Sequence, residues 1–464
     1  MTDLAYLGIA EAADLIRARK LSPVEYARAL LDRIERLDPR YHAFIRLTPD
    51  LALEAARQAE GEIAAGNWRG PLHGIPFALK DIIDVAGLPT TAHSKVLIDN
   101  VAGKDAPVAA RLKQAGGVLM GKLATHEFAI GGPSFDLPWP PAVNPWRESG
   151  FPGGSSSGSG VALAAGMVPA AIGTDTGGSV RNPASMCGIT GMKPTYGLVS
   201  RRGVLPLSTS LDHVGPMTRS VRDNALLLQL IAGHDPEDPG SAEGEVPDYA
   251  ADLDKGVRGL TIGLVRHFYT EDMQADPEQA RAIEAAAEVL RGLGAEVREI
   301  HLAPLQDYAT CTRIIIRCEA FAVHRRWLAE RPGDYGELAR QRILDGAAVS
   351  AADYIDALRL RARLTRRTLE AFRGIDAALT VSNMDPPCRI DDAAACARAY
   401  PRQARQPFNV TGQPAMAMPA GFTTDGLPLS LQLVGHPWQE AMIYRIGGAY
   451  EQTTRWIDRR PPGL

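Results

Sequence analysis

The sequence predicts one large α/β domain in which helices cover both faces of a central sheet. Residues 260–265, 277–291 and 296–300 form a strand–helix–strand unit, which implies parallel strands and a layered α/β/α architecture. Residues 168–173 form a short apolar run, typical of a buried strand, that ends in a glycine-rich loop. The length of 464 residues would suffice for several average domains, but large α/β enzymes often build one broad sheet. We therefore expect a single domain over residues 1–464 with a mixed, largely parallel sheet.

The order of elements divides this domain into segments. Residues 22–25 have the pattern of a capping box with proline at the first helical position, and a second capped helix is predicted from Asp105 to Gly116. Asp425 and Gly426 are predicted to lie in a hairpin turn before a final helix. The predicted segments are an N-terminal helical segment, a core that holds the three motifs described below, an exposed connection and a mainly helical insert expected to line a pocket, at residues 1–65, 66–230, 235–256 and 305–400.

Composition and charge indicate an ordinary globular protein. Hydrophobic residues make up 45% of the chain and the formal net charge is −4, which gives no reason to expect nucleic-acid binding. The five cysteines are widely spaced without a C-x-x-C pair, so neither a disulfide framework nor a zinc site is indicated. The N-terminus lacks the features of a secretory signal, and no apolar stretch approaches the roughly 18 residues of a membrane span. We expect a cytoplasmic protein.

The most informative stretch is residues 173–181, with the sequence GTDTGGSVR. Two glycines directly before Ser179 allow the backbone to turn so that several N–H groups converge on one point, as an oxyanion hole requires. Ligand chemistry in open α/β sheets gathers at the carboxyl ends of strands, which is where this loop falls. Ser179 therefore stands where a nucleophile is expected.

Two other stretches contribute polar groups. Residues 153–160, GGSSSGSG, have the composition of a flexible linker, but they lead directly into a helical run, so their serines lie at a helix N-terminus. Residues 74–80 form an apolar run that ends in Lys80. A lysine at the end of a strand usually extends to solvent, so Lys80 indicates a site only in combination with the serines.

Taken together, the three stretches resemble the amidase signature family. Further matches lie at residues 144–146, 187–188, 191–195 and 412–415, with a loose match over 235–400. The resemblance implies the amidase signature fold and a catalytic triad of Lys80, Ser155 and Ser179. It also implies a cis peptide between Gly154 and Ser155.

The chemistry of these residues agrees with the implied roles. A serine hydroxyl must pass its proton to a positioned base, and lysine accepts a proton only when it is neutral. Burial among apolar neighbours lowers the pKa of Lys80 toward that state. Ser155 would carry the proton from Ser179 to Lys80 and return it to the leaving amine.

Supporting residues surround the predicted nucleophile. The backbone N–H groups expected to stabilise the oxyanion are those of Thr176, Gly177, Gly178 and Ser179. Asp175 and Arg181 flank the loop closely enough to pair, and the resemblance implies that they brace it rather than react. A proline- and aromatic-rich segment next in sequence to Ser155 is expected to line the substrate pocket, through Ile130, Gly131, Phe135 and Trp139.

A different serine hydrolase also fits part of the pattern. Residues 154–158 satisfy G-x-S-x-G, which would make Ser156 the nucleophile of an α/β-hydrolase. That arrangement needs an apolar strand directly before the serine, whereas residues 144–152 have the composition of a loop. Asp212 and His213 are adjacent, and neighbouring residues in a strand point to opposite faces. The lysine-based triad is favoured.

These observations predict a stand-alone amidohydrolase that cleaves a non-peptide linear amide through an acyl-enzyme on Ser179, with anilide, carbamate and urea-like bonds left open. The predicted substrate is a small-molecule amide, without nucleic-acid or membrane partners; a homodimer is left open, and no metal or organic cofactor is implied. The alternative is the glutamine-hydrolysing A subunit of a tRNA-dependent amidotransferase, which shares the triad. Residues 379–412 look more like the stand-alone amidases.

Overall fold

The fold is built on an eleven-stranded mixed sheet flanked by helices, and the computed structural model describes residues 3–464. The strands are β1 (Phe44–Leu47), β2 (Pro76–Lys80), β3 (Val118–Leu123), β4 (Ala170–Asp175), β5 (Thr190–Lys193), β6 (His213–Thr218), β7 (Thr261–Leu264), β8 (Glu296–Glu299), β9 (Ala377–Val381), β10 (Ala415–Phe422) and β11 (Pro428–Gly435). They lie in the order β1-β3-β2-β4-β6-β5-β10-β11-β9-β7-β8. The predicted single α/β sheet is confirmed.

Helices cover both faces of this sheet. They are α1 (Ile9–Arg17), α2 (Pro23–Tyr41), α3 (Pro49–Ala64), α4 (Pro107–Gln114), α5 (Ser157–Ala164), α6 (Arg181–Cys187), α7 (Val221–Ile231), α8 (His267–Thr270), α9 (Pro277–Gly292), α10 (Leu305–Glu330), α11 (Glu337–Leu344), α12 (Ala351–Ala371), α13 (Ala393–Ala399), α14 (Gln406–Val410) and α15 (Glu440–Thr454). Seven strands are consequently buried along their whole length, namely β2, β3, β4, β5, β6, β9 and β11.

Strand direction differs from the prediction of a largely parallel sheet. Six of the neighbouring strand pairs are antiparallel and four are parallel. The parallel pairs β2–β3 and β7–β8 are joined through α4 and α9, because a parallel connection must cross the sheet. The predicted hairpin at Asp425 and Gly426 joins β10 to β11, and so short a turn requires antiparallel strands.

The starts of two helices test the capping predictions. Ser22 does cap α2, because its hydroxyl accepts hydrogen bonds from the N–H groups of Val24 and Glu25. The cap predicted at Asp105 is wrong, since α4 begins at Pro107 without a side-chain cap. The carboxylate of Asp105 instead accepts from the N–H of Ala86 and the ammonium of Lys113.

Residues 235–256 lack helix and strand, as predicted, but they are not simply exposed. Asp235 and Asp238 are buried and form ion pairs with Arg202 and Arg201. Tyr249 is buried as well. Apart from these three residues and Leu253, the segment is exposed or half-buried, and Asp235 and Asp238 anchor it to the loop after β5.

The segment 305–400 is mainly helical, as predicted, with α10, α11, α12 and α13. It also contributes β9, which lies between β7 and β11 and so belongs to the central sheet rather than to an insert. No helix within residues 3–464 is long and apolar enough to cross a membrane. The expected lack of a secretory signal rests partly on Met1 and Thr2, which lie outside the described residues. The homodimer stays a prediction.

Candidate active site

Lys80 and Thr174 meet where β2 and β4 end side by side. The two strands are parallel, and Leu79 lies opposite Ile172, so the next residues reach the same edge of the sheet. There the Lys80 Nζ lies 2.8 Å from Thr174 Oγ1 and 2.7 Å from Ser155 Oγ. Lys80 is fully buried, so it does not extend to solvent.

Ser155 is held in the segment that leads into α5. The peptide between Gly154 and Ser155 is cis, as the resemblance implied. The N–H of Gly154 donates to Asn182 Oδ1 at 2.9 Å, and the carbonyl of Ser155 accepts from the N–H of His126 at 3.1 Å. A Cβ at Gly154 would collide with the His126 ring, so this position requires glycine.

Ser179 lies in the loop between β4 and α6. Its carbonyl accepts a hydrogen bond from the N–H of Ser156 at 3.2 Å, which ties the two serine-bearing segments together. The N–H of Gly178 donates to Asp175 Oδ1 at 2.8 Å. Gly178 is therefore removed from the predicted oxyanion donors, because its N–H is already engaged. Within residues 3–464, the N–H groups of Thr176, Gly177 and Ser179 have no protein acceptor.

Asp175 and Arg181 form a buried ion pair that shapes this loop. Asp175 Oδ1 lies 2.9 Å from an Arg181 terminal nitrogen, and Oδ2 accepts from Arg181 Nε and from the N–H of Val180. Arg181 also donates to Gln432 Oε1 and Asn409 Oδ1. Burial alone would raise the pKa of Asp175, but Arg181 holds it well below its usual range. The pair joins the nucleophile loop to β11 and α14.

Asp175→Asn is expected to destabilise the protein by about 3–5 kcal/mol, because it leaves the Arg181 guanidinium buried without its counter-charge. Urea unfolding measures this change. The matched control is Asp254→Asn, which breaks the exposed pair of Asp254 with Arg222 and should change the unfolding midpoint little. Equal shifts for the two variants would contradict the bracing role.

The environment of Lys80 favours its neutral form. Burial lowers the pKa of Lys80 to about 7, although the carboxylates of Asp212 and Asp175 act in the opposite direction. His126, which also faces this region, has its pKa lowered to about 3 by burial and is neutral. An amine that is partly unprotonated near pH 7 is suited to accept a proton.

The competing nucleophile, Ser156, is committed to structural hydrogen bonds. Its hydroxyl donates to the carbonyl of Thr174 and accepts from the N–H of the same residue. Residues 144–155, which precede it, contain no strand. His213 Nδ1 lies near two backbone carbonyls, those of Leu211 and Asp175, rather than near a serine hydroxyl. These residues therefore do not form the nucleophile elbow of an α/β-hydrolase.

A cavity of about 580 Å³ opens beside the loop. Its lining includes Thr174, Thr176 and Asp212 together with Arg201 and Arg202. Its other lining residues include Ile82, Ala129, Leu207, Ser210, Glu237 and Asp238. The cavity therefore borders both the end of β4 and a group of charged residues, while Lys80, Ser155 and Ser179 are not among its lining residues.

The residues predicted to line the pocket lie elsewhere. Ile130, Gly131, Phe135 and Trp139 do not border this cavity, and the side chain of Phe135 is exposed. Their segment packs against α11 instead, where the carbonyl of Gly131 accepts from Arg342. None of the residues of the 305–400 segment borders this cavity, but the side chains of Thr312 and Ile316 on α10 lie next to Gly177. The role of this segment as a pocket wall stays a prediction.

Several residues of the site were not predicted from the sequence. Thr174 could have been found, because it directly follows the predicted strand 168–173 and lies in the stretch that contains Asp175 and Ser179. Asn409 and Gln432 contact the loop from more than 200 residues away, and nothing in their local sequence marks them. Residues 3–464 contain no cluster of histidine, cysteine, aspartate or glutamate suited to a metal ion.

Comparison with known proteins places the chain in a family. A family model described as Amidase matches residues 25–444. The chain belongs to the amidase signature family. It is therefore an enzyme that hydrolyses amide C–N bonds.

In sequence, this amidase signature enzyme is 42% identical to the A subunit of the glutamyl-tRNA(Gln) amidotransferase of Geobacter metallireducens, with 98% of both chains covered. It is 41% identical to the protein of the same name from Chloroflexus aggregans, with 99% of both chains covered. The structure of the corresponding protein from Thermotoga maritima aligns with a TM-score of 0.82 at 32% identity, covering 97% of this chain and 96% of that one.

A further solved structure comes from a vestigial protein complex that reveals the evolutionary origins of an s-triazine catabolic enzyme. It aligns with a TM-score of 0.91 at 31% identity, covering 97% of this chain and 99% of that one. Similarity to components of a tRNA-dependent enzyme overturns two predictions, namely that of a stand-alone amidase and that of a small-molecule substrate without a nucleic-acid partner. The C-terminal third, taken as typical of stand-alone amidases, was misleading because the match to these relatives extends through it.

Proposed function

We propose that this chain is the glutamine-hydrolysing A subunit of a tRNA-dependent amidotransferase, which releases ammonia for a partner to use. The observation that carries this proposal is the 42% identity to such a protein over 98% of both chains. A match of that extent includes both the catalytic core and the segments around it. The proposal of amide hydrolysis and the proposal that the chain works as one subunit of a complex therefore rest on the same alignment.

In this proposal Lys80, Ser155 and Ser179 act as one proton-transfer chain. Neutral Lys80 has two N–H groups and one lone pair; Thr174 Oγ1 accepts one N–H, and the lone pair accepts the proton of Ser155. Ser155 in turn accepts the proton of Ser179, whose oxygen attacks the carboxamide carbon. Collapse of the tetrahedral intermediate breaks the C–N bond, and the proton returns through Ser155 to the leaving ammonia. Water then hydrolyses the glutamyl ester on Ser179.

The free N–H groups of Thr176, Gly177 and Ser179 are the donors that would stabilise the oxyanion. Each such donor is typically worth on the order of 100-fold in rate. Gly178 contributes indirectly, because its bond to Asp175 fixes the turn from which the other N–H groups project. Asp175, Arg181 and Gly154 support the site without reacting.

The cavity supports a zwitterionic amino acid as substrate. Its lining holds the cation Arg202 and the anions Glu237 and Asp238, of which Arg202 pairs with Glu237 and Asp235, and Asp238 pairs with Arg201. Glutamine carries an α-carboxylate and an α-ammonium group at one end and its carboxamide at the other. A molecule of that size fits within 580 Å³, and we propose that its carboxamide is directed toward Thr176.

The purified chain, together with any partner protein that co-purifies in stoichiometric amount, is expected to release glutamate and ammonia from glutamine in equal quantities. Chromatography of the amino acids and an enzymatic ammonia assay measure both products. Asparagine, shorter by one methylene, is the control and should react at least about 10-fold more slowly, since one methylene is worth about 1–3 kcal/mol of discrimination. Hydrolysis of other amides without any hydrolysis of glutamine would contradict the proposal.

A further inference from the structure

We infer that Asp212 is a positioning residue of the reaction, which holds Thr176 of the oxyanion loop in place and adds a negative charge near the catalytic lysine. This inference rests on the proposed triad of Lys80, Ser155 and Ser179. Asp212 follows the loop 207–211 at the start of β6, 36 residues after Thr176 in sequence. Nothing in its local motif indicated such a role.

The hydrogen bonds of Asp212 connect two walls of the cavity. Its Oδ1 accepts from Thr176 Oγ1, and its Oδ2 accepts from the N–H groups of Leu207 and Ser208, both at 2.9 Å. Thr176 carries one of the unpartnered N–H groups of the oxyanion loop. The two carboxylate oxygens of Asp212 therefore hold the oxyanion loop, through Thr176, and the loop 207–211, which lies opposite it.

Glu319, on α10, fixes that opposite loop from outside. Its Oε2 accepts from Ser208 Oγ at 2.6 Å and from the N–H of Ser210 at 3.0 Å. Its Oε1 accepts from Tyr354 OH, on α12, at 2.7 Å. A continuous series of hydrogen bonds thus runs from the outer helices through Asp212 to Thr176.

The charge of Asp212 also acts on Lys80. Burial raises the pKa of Asp212 to about 6, so the carboxylate is ionised at pH 7, where Lys80 titrates. The other charged groups facing the two residues are Arg201, beside Asp212, and Asp175, which is neutralised by Arg181. Removing the charge of Asp212 therefore lowers the pKa of Lys80 further, and Lys80 then stays neutral at lower pH.

Two variants separate the positioning effect from the charge effect. Asp212→Asn is expected to slow acylation about 100-fold through misplacement of the oxyanion loop, and to move the acid limb of the pH profile to lower pH by on the order of one unit. Thr176→Val removes the hydroxyl contact but keeps the carboxylate of Asp212, so it should slow acylation by at least about 10-fold while shifting the acid limb less than Asp212→Asn does.

The rate of Ser179 labelling by a fluorophosphonate measures acylation whichever amide is the natural substrate. The control is Asp235→Asn, since Asp235 likewise accepts from a hydroxyl, that of Ser200, and from a backbone N–H, but lies outside the cavity lining. It should leave the labelling rate and the acid limb unchanged. Circular dichroism confirms that each variant is folded.

An Asp212→Asn protein with the wild-type acid limb, or a Thr176→Val protein labelled at the wild-type rate, overturns the inference. If Asp212→Asn does not fold, Thr176→Val decides alone. Mass spectrometry of the labelled wild-type protein tests the triad separately from the role of Asp212. A label elsewhere than Ser179 refutes the proposed triad, whereas a label on Ser179 with unaffected variants refutes only the role of Asp212.

Discussion

Replacing Lys80 with methionine is expected to lower the acylation rate by about 10²–10⁴-fold and to flatten the acid limb of the pH profile. Methionine is close to lysine in length and fits a fully buried position, so it removes the base without leaving a large void. In the wild-type enzyme, activity should fall as pH drops through about 7, because protonation of Lys80 removes the proton acceptor. The dependence of kcat/KM on pH measures this limb.

Histidines provide the controls for that experiment. His73, His93, His126 and His213 are the nearest candidates for a different base, and burial lowers the pKa of each. None of these four makes a hydrogen bond to Ser155 or Ser179 through its ring. Replacing any one with glutamine should therefore preserve the shape of the profile. If a histidine variant erases the acid limb and the lysine variant retains it, the lysine mechanism is wrong.

The predicted triad came from the resemblance to the amidase signature family, and two of its members also lie in local patterns with a physical meaning of their own. Lys80 ends an apolar strand, and Ser179 follows two glycines at the end of another. Parallel pairing of β2 and β4 then brings these ends together, and that pairing is a general consequence of α/β layering. Local patterns therefore placed Lys80 and Ser179 near strand ends, whereas the choice of Ser155 rested on the resemblance.

The cavity was not predictable in the same way. Its walls come from the loop after β5, from residues 237–240 and from the start of β6, which are brought together only by tertiary packing. The aromatic segment that was expected to line a pocket, with Phe135 and Trp139, instead covers α11. Hydrophobic composition indicates that a segment packs against something, but it does not identify its neighbour.

The prediction of a largely parallel sheet was wrong for a related reason. The strand–helix–strand unit at β7, α9 and β8 correctly predicts a parallel pair. Extending that rule to the whole sheet ignored β5 and β6, whose antiparallel pairing lies at the sheet centre between β4 and β10. Residues 194–212 connect these two strands without a crossover helix, and the same connection forms much of the cavity wall.

Replacing Ser179 with alanine is expected to abolish glutamine hydrolysis, with a loss of about 10⁴-fold or more, because no other hydroxyl can form the acyl-enzyme. The change removes a single oxygen from a loop held by Asp175 and Arg181, so the free energy of unfolding should stay close to that of the wild type. Glutamine turnover and urea unfolding of the same preparation measure the two quantities. A fluorophosphonate should no longer label the protein.

Ser156→Ala is the matched control, since Ser156 is also buried and lies close to Thr174 but carries no proposed chemical role. Its hydroxyl pairs with the N–H and carbonyl of Thr174, so its loss should destabilise the fold by about 1–3 kcal/mol while labelling of Ser179 persists. The opposite pattern, with labelling lost in Ser156→Ala and kept in Ser179→Ala, would make Ser156 the nucleophile. In that case the positions of Lys80 and Ser155 would need a structural explanation instead of a catalytic one.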